Sequence, residues 1–155
     1  MTLLVNSNTG IESQKLVEAL KESLLNGVSV KIKLGGNSMW PFIKQDTEAT
    51  IKKTEFKDLK IGDIIVFSSS KKLIAHRIIK LKKGINEIVT KGDNEFFCDK
   101  KIGLVFFHGK IIMLKTKTKT INLDSNFYRN FNFFLAKMTY VFTPFYRLIF
   151  KISIK

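Results

Sequence analysis

Apolar residues recur along this chain at two different periods, and the change of period divides it. Ile11, Leu16, Leu20 and Leu24 fall near helical spacing, with Val17 and Leu25 widening the stripe, so an amphipathic helix is predicted from Ile11 to Leu25. Asn26-Gly27 supplies its stop, because glycine readily takes the left-handed conformation that ends a helix. From Val28 the period becomes two. Val28, Val30, Ile32 and Leu34 alternate with Ser29, Lys31 and Lys33, as in a half-buried strand, and Gly35-Gly36 breaks it. Further short strands are expected at 49–53, 63–67, 73–81, 87–90 and 104–114. The turn-formers Lys60-Ile61-Gly62, Ser68-Ser69-Ser70, Lys83-Gly84 and Gly92-Asp93-Asn94 lie between them. The Lys/Thr alternation of 115–120 predicts a solvent-facing edge strand or ribbon, since edge lysines discourage pairing with other chains. Residues 127–150 are aromatic and aliphatic with scattered cations, and predict one helix bent or broken at Pro144, or two short ones.

Strands this close together, without helices between them, predict a mainly β (α+β) fold rather than βαβ units. The expected organisation is an N-terminal helix over 1–27, a β domain over 28–120 and a C-terminal helical segment over 121–155. With 155 residues, 45% of them hydrophobic, the chain can bury a real core. Its one cysteine, Cys98, cannot form an internal disulfide, which favours a reducing compartment. That cysteine and two histidines, His76 and His108, have no metal-ligand spacing, so no metal or other cofactor is expected.

The net charge is +14, spread as −1 over 1–30, +3 over 31–60 and +4 over each of 61–90, 91–120 and 121–155. Such even spreading is less diagnostic than a basic stripe, and a specific nucleic-acid partner is not expected from it. No cationic stretch precedes an apolar run at the start of the chain, and Lys137, Pro144, Arg147 and Lys151 interrupt the most apolar stretch, 131–154. The expectation is a cytoplasmic or peripherally membrane-associated protein. The tail, with Phe131, Phe134, Tyr140, Phe142, Phe145 and Phe150, leaves two readings open: a helix lying on anionic lipid, or one packed back onto the β domain.

Three segments carry the candidate chemistry. Gly35-Gly36-Asn37-Ser38-Met39-Trp40-Pro41 places a hydroxyl just after two glycines at a strand end, where backbone can approach backbone closely. Ala75-His76-Arg77-Ile78-Ile79 sets a histidine in an apolar strand, and Thr90-Lys91-Gly92-Asp93-Asn94 is followed by Asp99. Singly, each is ordinary: serine after glycine is usually a turn residue, and a strand histidine is usually packed.

Together they resemble the type I signal peptidases, in particular their endoplasmic-reticulum and archaeal branch. The matching boxes are Ser38-Met39-Trp40-Pro41, Gly62 to Phe67 (GDIIVF), His76-Arg77-Ile78-Ile79 and Thr90 to Asn94 (TKGDN), in family order. The resemblance covers roughly 30–115 and implies a serine endopeptidase that cleaves an extended peptide or precursor protein. It implies Ser38 as nucleophile, His76 as general base, Asp99 as the imidazole's partner and Asp93 as a nearby structural or electrostatic aid. Gly36, Asn37 and Met39 are the implied oxyanion or substrate-binding positions. The chemistry agrees, because a serine hydroxyl needs an adjacent base and an imidazole needs a carboxylate to set its tautomer.

The chain departs from the family at Gly36, where a hydroxyl is frequent, at Asn37, where Gly is common, and at Gln45-Asp46, where Gly-Asp is usual. Cys98-Asp99 stands in place of a double Asp, and no N-terminal membrane anchor is read. Gly36-Asn37-Ser38-Met39 also resembles the Gly-x-Ser-Met of self-cleaving SOS-type repressors, but no Ala-Gly scissile pair or helix-turn-helix accompanies it. A peptide-binding module that keeps the fold without turnover is the competing expectation.

Overall fold

The computed structural model describes residues 2–3, 10–70 and 72–153. A 16-residue helix, α1 (Gly10–Leu25), is followed by a sheet and then by a 28-residue helix, α2 (Asn126–Ser153). The strands are β1 (Thr2–Leu3), β2 (Val30–Lys33), β3 (Glu48–Lys52), β4 (Ile64–Ser69), β5 (Lys72–Lys82), β6 (Glu87–Lys91), β7 (Phe107–Lys115) and β8 (Thr120–Asn122). They form one sheet in the order β1-β2-β3-β7-β4-β5-β6, with β8 also paired to β7. All neighbours are antiparallel except β1 and β2. The fold is therefore α+β and mostly β.

The period-two pattern explains how the sheet is covered. Ile64 and Val66 of β4 point into a core with Leu20 and Leu24 of α1, Val30, Ile32, Ile51 and Ile111. Ile65 and Phe67, which alternate with them, point into a second core with Leu59, Ile78, Ile88 and Ile102. A strand apolar on both sides must be buried on both faces, which is why the Ile64–Phe67 run shows no alternation. Helix α1 ends as expected: Gly27 has φ of +75°, and Gly27 N–H and Val28 N–H turn back to the carbonyls of Leu24 and Ser23.

Three expectations are corrected. The 115–120 segment is not one continuous strand but the turn of a two-stranded ribbon. Lys115 closes β7, Thr116 Oγ1 accepts N–H groups from Thr118 and Lys119 to build a turn, and Thr120 opens β8. A threonine hydroxyl that captures nearby backbone competes with a ladder, and here it wins. The 104–114 segment begins with a 3₁₀ turn at Leu104–Phe106 before β7. Finally, the sheet runs past the expected boundary at 120, because β8 extends to Asn122 and α2 begins only at Asn126. Helix α2 continues through Pro144 as one element. The side chains of Ile11, Phe142, Phe145 and Phe150 lie outside the described residues.

Candidate active site

Between β2 and β3 the chain makes an excursion from Leu34 to Thr47, closed at its base by Leu34 N–H to Thr47 O and Asp46 N–H to Leu34 O, both 2.9 Å. Met39 and Ile43 anchor it by burying their side chains in the α1-side core. This leaves Ser38 half-buried at the rim of a cavity of about 210 Å³. Gly36, Met39, Val66, Leu73, Ala75 and His76 also line that cavity, whereas Asn37 is exposed and outside it.

His76 sits on β5 opposite Ile65, and its ring meets Phe67 edge-on at 6.1 Å. Its Nδ1 donates to Asp99 Oδ2 at 2.7 Å. The same oxygen accepts from Thr90 Oγ1 at 2.6 Å, and Asp99 N–H returns to Thr90 O at 2.9 Å, so the end of β6 holds Asp99 by both its carboxylate and its backbone. The second loop is also tied to the first, because Asn94 N–H donates to Ser38 O at 2.8 Å. Gly92 fills the space between them. A Cβ on Gly92 would lie 2.7 Å from Ser38 O and 3.0 Å from His76 Nε2, so the serine backbone and the imidazole flank one glycine. Ser38 Oγ and His76 Nε2 are not hydrogen-bonded to each other.

Arg77, next along β5, points to the opposite face, as strand alternation requires. It is almost completely buried and forks onto Asp93, Nε to Oδ1 at 2.8 Å and Nη2 to Oδ2 at 2.7 Å. Its Nη1 donates to Gly62 O and to Asn132 Oδ1 of α2. Asp93 is therefore a partner of Arg77, while Asp99 is the carboxylate on His76. Burial pushes the Lys91 ammonium below the usual lysine range, and its Nζ lies 3.4 Å from Gly92 O. Among the described residues no cluster of His, Cys, Asp or Glu is arranged to hold a metal ion. No helix among the described residues is long and apolar enough to cross a membrane.

The structure thus brings Ser38 and His76 to one cavity, with Asp99 on the imidazole and Asp93 on Arg77. Sequence reasoning passed over Thr90, Arg77 and Gly92 as site residues, although all three lie inside the boxes it singled out. Asn132 carried no signal, since its role depends on where α2 docks. No protein-family model, curated protein or solved structure matches this chain.

Proposed function

We propose that the chain is a serine endopeptidase of the signal-peptidase type. Ser38 Oγ attacks the scissile carbonyl carbon. His76 Nε2 takes the hydroxyl proton and delivers it to the leaving amine, and water then hydrolyses the acyl-enzyme by the reverse proton route. Asp99 keeps the proton on Nδ1 and so leaves Nε2 as the basic nitrogen. The observation that supports this best is the Asp99–His76 hydrogen bond of 2.7 Å, with the other imidazole nitrogen turned to the glycine that backs Ser38. Ser38 N–H donates to no acceptor among the described residues and is free to meet a developing oxyanion. Catalytic hydrogen bonds commonly tighten only when substrate enters, which accommodates the unformed Ser38–His76 contact.

That same unformed contact favours a second reading, a peptide-binding module without turnover. A serine-directed acylating probe separates the two, because only an activated hydroxyl reacts. The peptidase is expected to label at Ser38 and to cleave a peptide with small residues before the scissile bond. Ser38→Ala and His76→Ala should each lower the rate by at least about 10³-fold. Full cleavage by Ser38→Ala would end the proposal, and peptide binding without labelling would favour the module.

A further inference from the structure

Among the described residues, helix α2 presents a mixed row that the fold buries and an apolar row that it leaves exposed. Asn132 and Ala136 are buried, and Tyr128, Leu135 and Thr139 are half-buried along the same side. The second row is Phe127, Phe131, Phe134, Met138 and Val141, whose spacings alternate between four and three and so mark one stripe of a helix. Every member is exposed, from 37% at Phe131 to 72% at Phe127. The stripe continues beyond the helix. Phe127 stacks on Phe131 at 6.4 Å, and Phe42, itself 46% exposed, meets Phe131 edge-on at 5.7 Å. One aromatic surface therefore runs from α2 onto the loop that carries Ser38.

Charge favours one kind of partner for this surface. After Asp124 the sequence holds Arg129, Lys137, Arg147, Lys151 and Lys155 and no acidic residue. Lys137 flanks the stripe, with its Nζ 5.5 Å from the Phe133 ring centroid. A second copy of a chain with a net charge of +14 would bring like charge to like, which opposes self-association through this face. An anionic lipid surface complements both the cations and the aromatic rings, which favour the level of the headgroups. Since no described helix is long and apolar enough to span, the helix would lie in the interfacial plane.

We infer that the stripe from Phe127 to Val141, extended by Phe42, docks the protein on an anionic lipid bilayer, with the Ser38 loop at the lipid surface. This inference stands whether or not Ser38 is a nucleophile. The full chain is mixed with phosphatidylcholine vesicles, with and without phosphatidylglycerol, and sedimented. Co-sedimentation with the anionic vesicles is expected. Phe127→Ser/Phe134→Ser should lower that partition at least about tenfold with little change in melting temperature, because both rings are more than half exposed. Lys137→Glu, which leaves the rings intact and covers the case of a misfolded serine variant, should lower it about fivefold. Wild-type protein left in the supernatant would overturn the inference, as would equal partition of both variants. So would a dimer, seen by sedimentation velocity, that persists on vesicles and is lost in the serine variant.

Discussion

Asp99 is held in its rotamer by two donors on one oxygen, His76 Nδ1 at 2.7 Å and Thr90 Oγ1 at 2.6 Å. The two bonds have different work. The first sets the imidazole tautomer, whereas the second only fixes the carboxylate. Asp99→Asn should therefore lower the rate of probe acylation at Ser38 by about 10³ to 10⁴, as expected when the wrong tautomer is favoured. Thr90→Val keeps the carboxylate and removes one neutral donor, and about a tenfold loss is expected. Labelling rates of the purified variants check both, and equal losses in the two would contradict this division of roles. The His76–Asp99 pairing was legible only through the order of the boxes, because nothing in the local pattern of Cys98-Asp99-Lys100 distinguishes a partner carboxylate from a solvated one. Thr90 was hidden for the opposite reason: a buried threonine in a strand is what β propensity alone would place there.

At the scale of elements, α2 is docked through Gly62 and Arg77, on the side of β5 opposite His76. Gly62 has φ of +97°, and a Cβ there would lie 2.7 Å from the backbone of Asn132 and Phe133. Neither conformation nor space admits a larger residue. Gly62→Ala should thus push α2 away and break the Arg77 Nη1 bond to Asn132, seen as faster amide exchange over 126–141 than in the native chain. Arg77→Met should cost about 3–5 kcal/mol in urea unfolding, since it leaves the nearly fully buried Asp93 carboxylate without its fork of donors. Arg77→Lys offers a point charge instead of that fork and should recover only part of the loss. The long elements were legible because burial imposes their periods: helix α1 to within a residue, and β2 to β7 to within a few. The short ones were not. β1 and β8 span two and three residues, and pairing with β2 and β7 defines them rather than any pattern of their own. The Lys/Thr alternation misled because a side-chain hydroxyl can close a turn where side-chain periodicity alone points to a strand.

Across the whole molecule, part of the response to mild acid should come from a buried histidine outside the candidate site. His108 of β7 is buried, and its Nε2 has no hydrogen-bond partner among the described residues. Loss of solvent and, secondly, the nearby Lys21 ammonium of α1 lower its pKa to about 4. Lys53 and Thr54 share its pocket and offer no carboxylate to stabilise an imidazolium. The folded state therefore refuses a proton that the unfolded chain accepts near pH 6.5. Above that pH both states are neutral and the contribution to stability is complete. As pH falls from 6.5 towards about 4 the unfolded state alone gains the proton, so stability declines through this window and levels off only below it. His108→Leu removes both the titration and the unpaired nitrogen. Its unfolding free energy should therefore fall less between pH 6.5 and 4 than that of the native chain, by on the order of 1–2 kcal/mol, while its stability near pH 7.5 should be equal or higher. Urea melts of the two proteins at matched pH values decide the matter: parallel pH profiles would mean that the acid sensitivity belongs to the carboxylates of the sheet, with the α1–β7 contact contributing none of it.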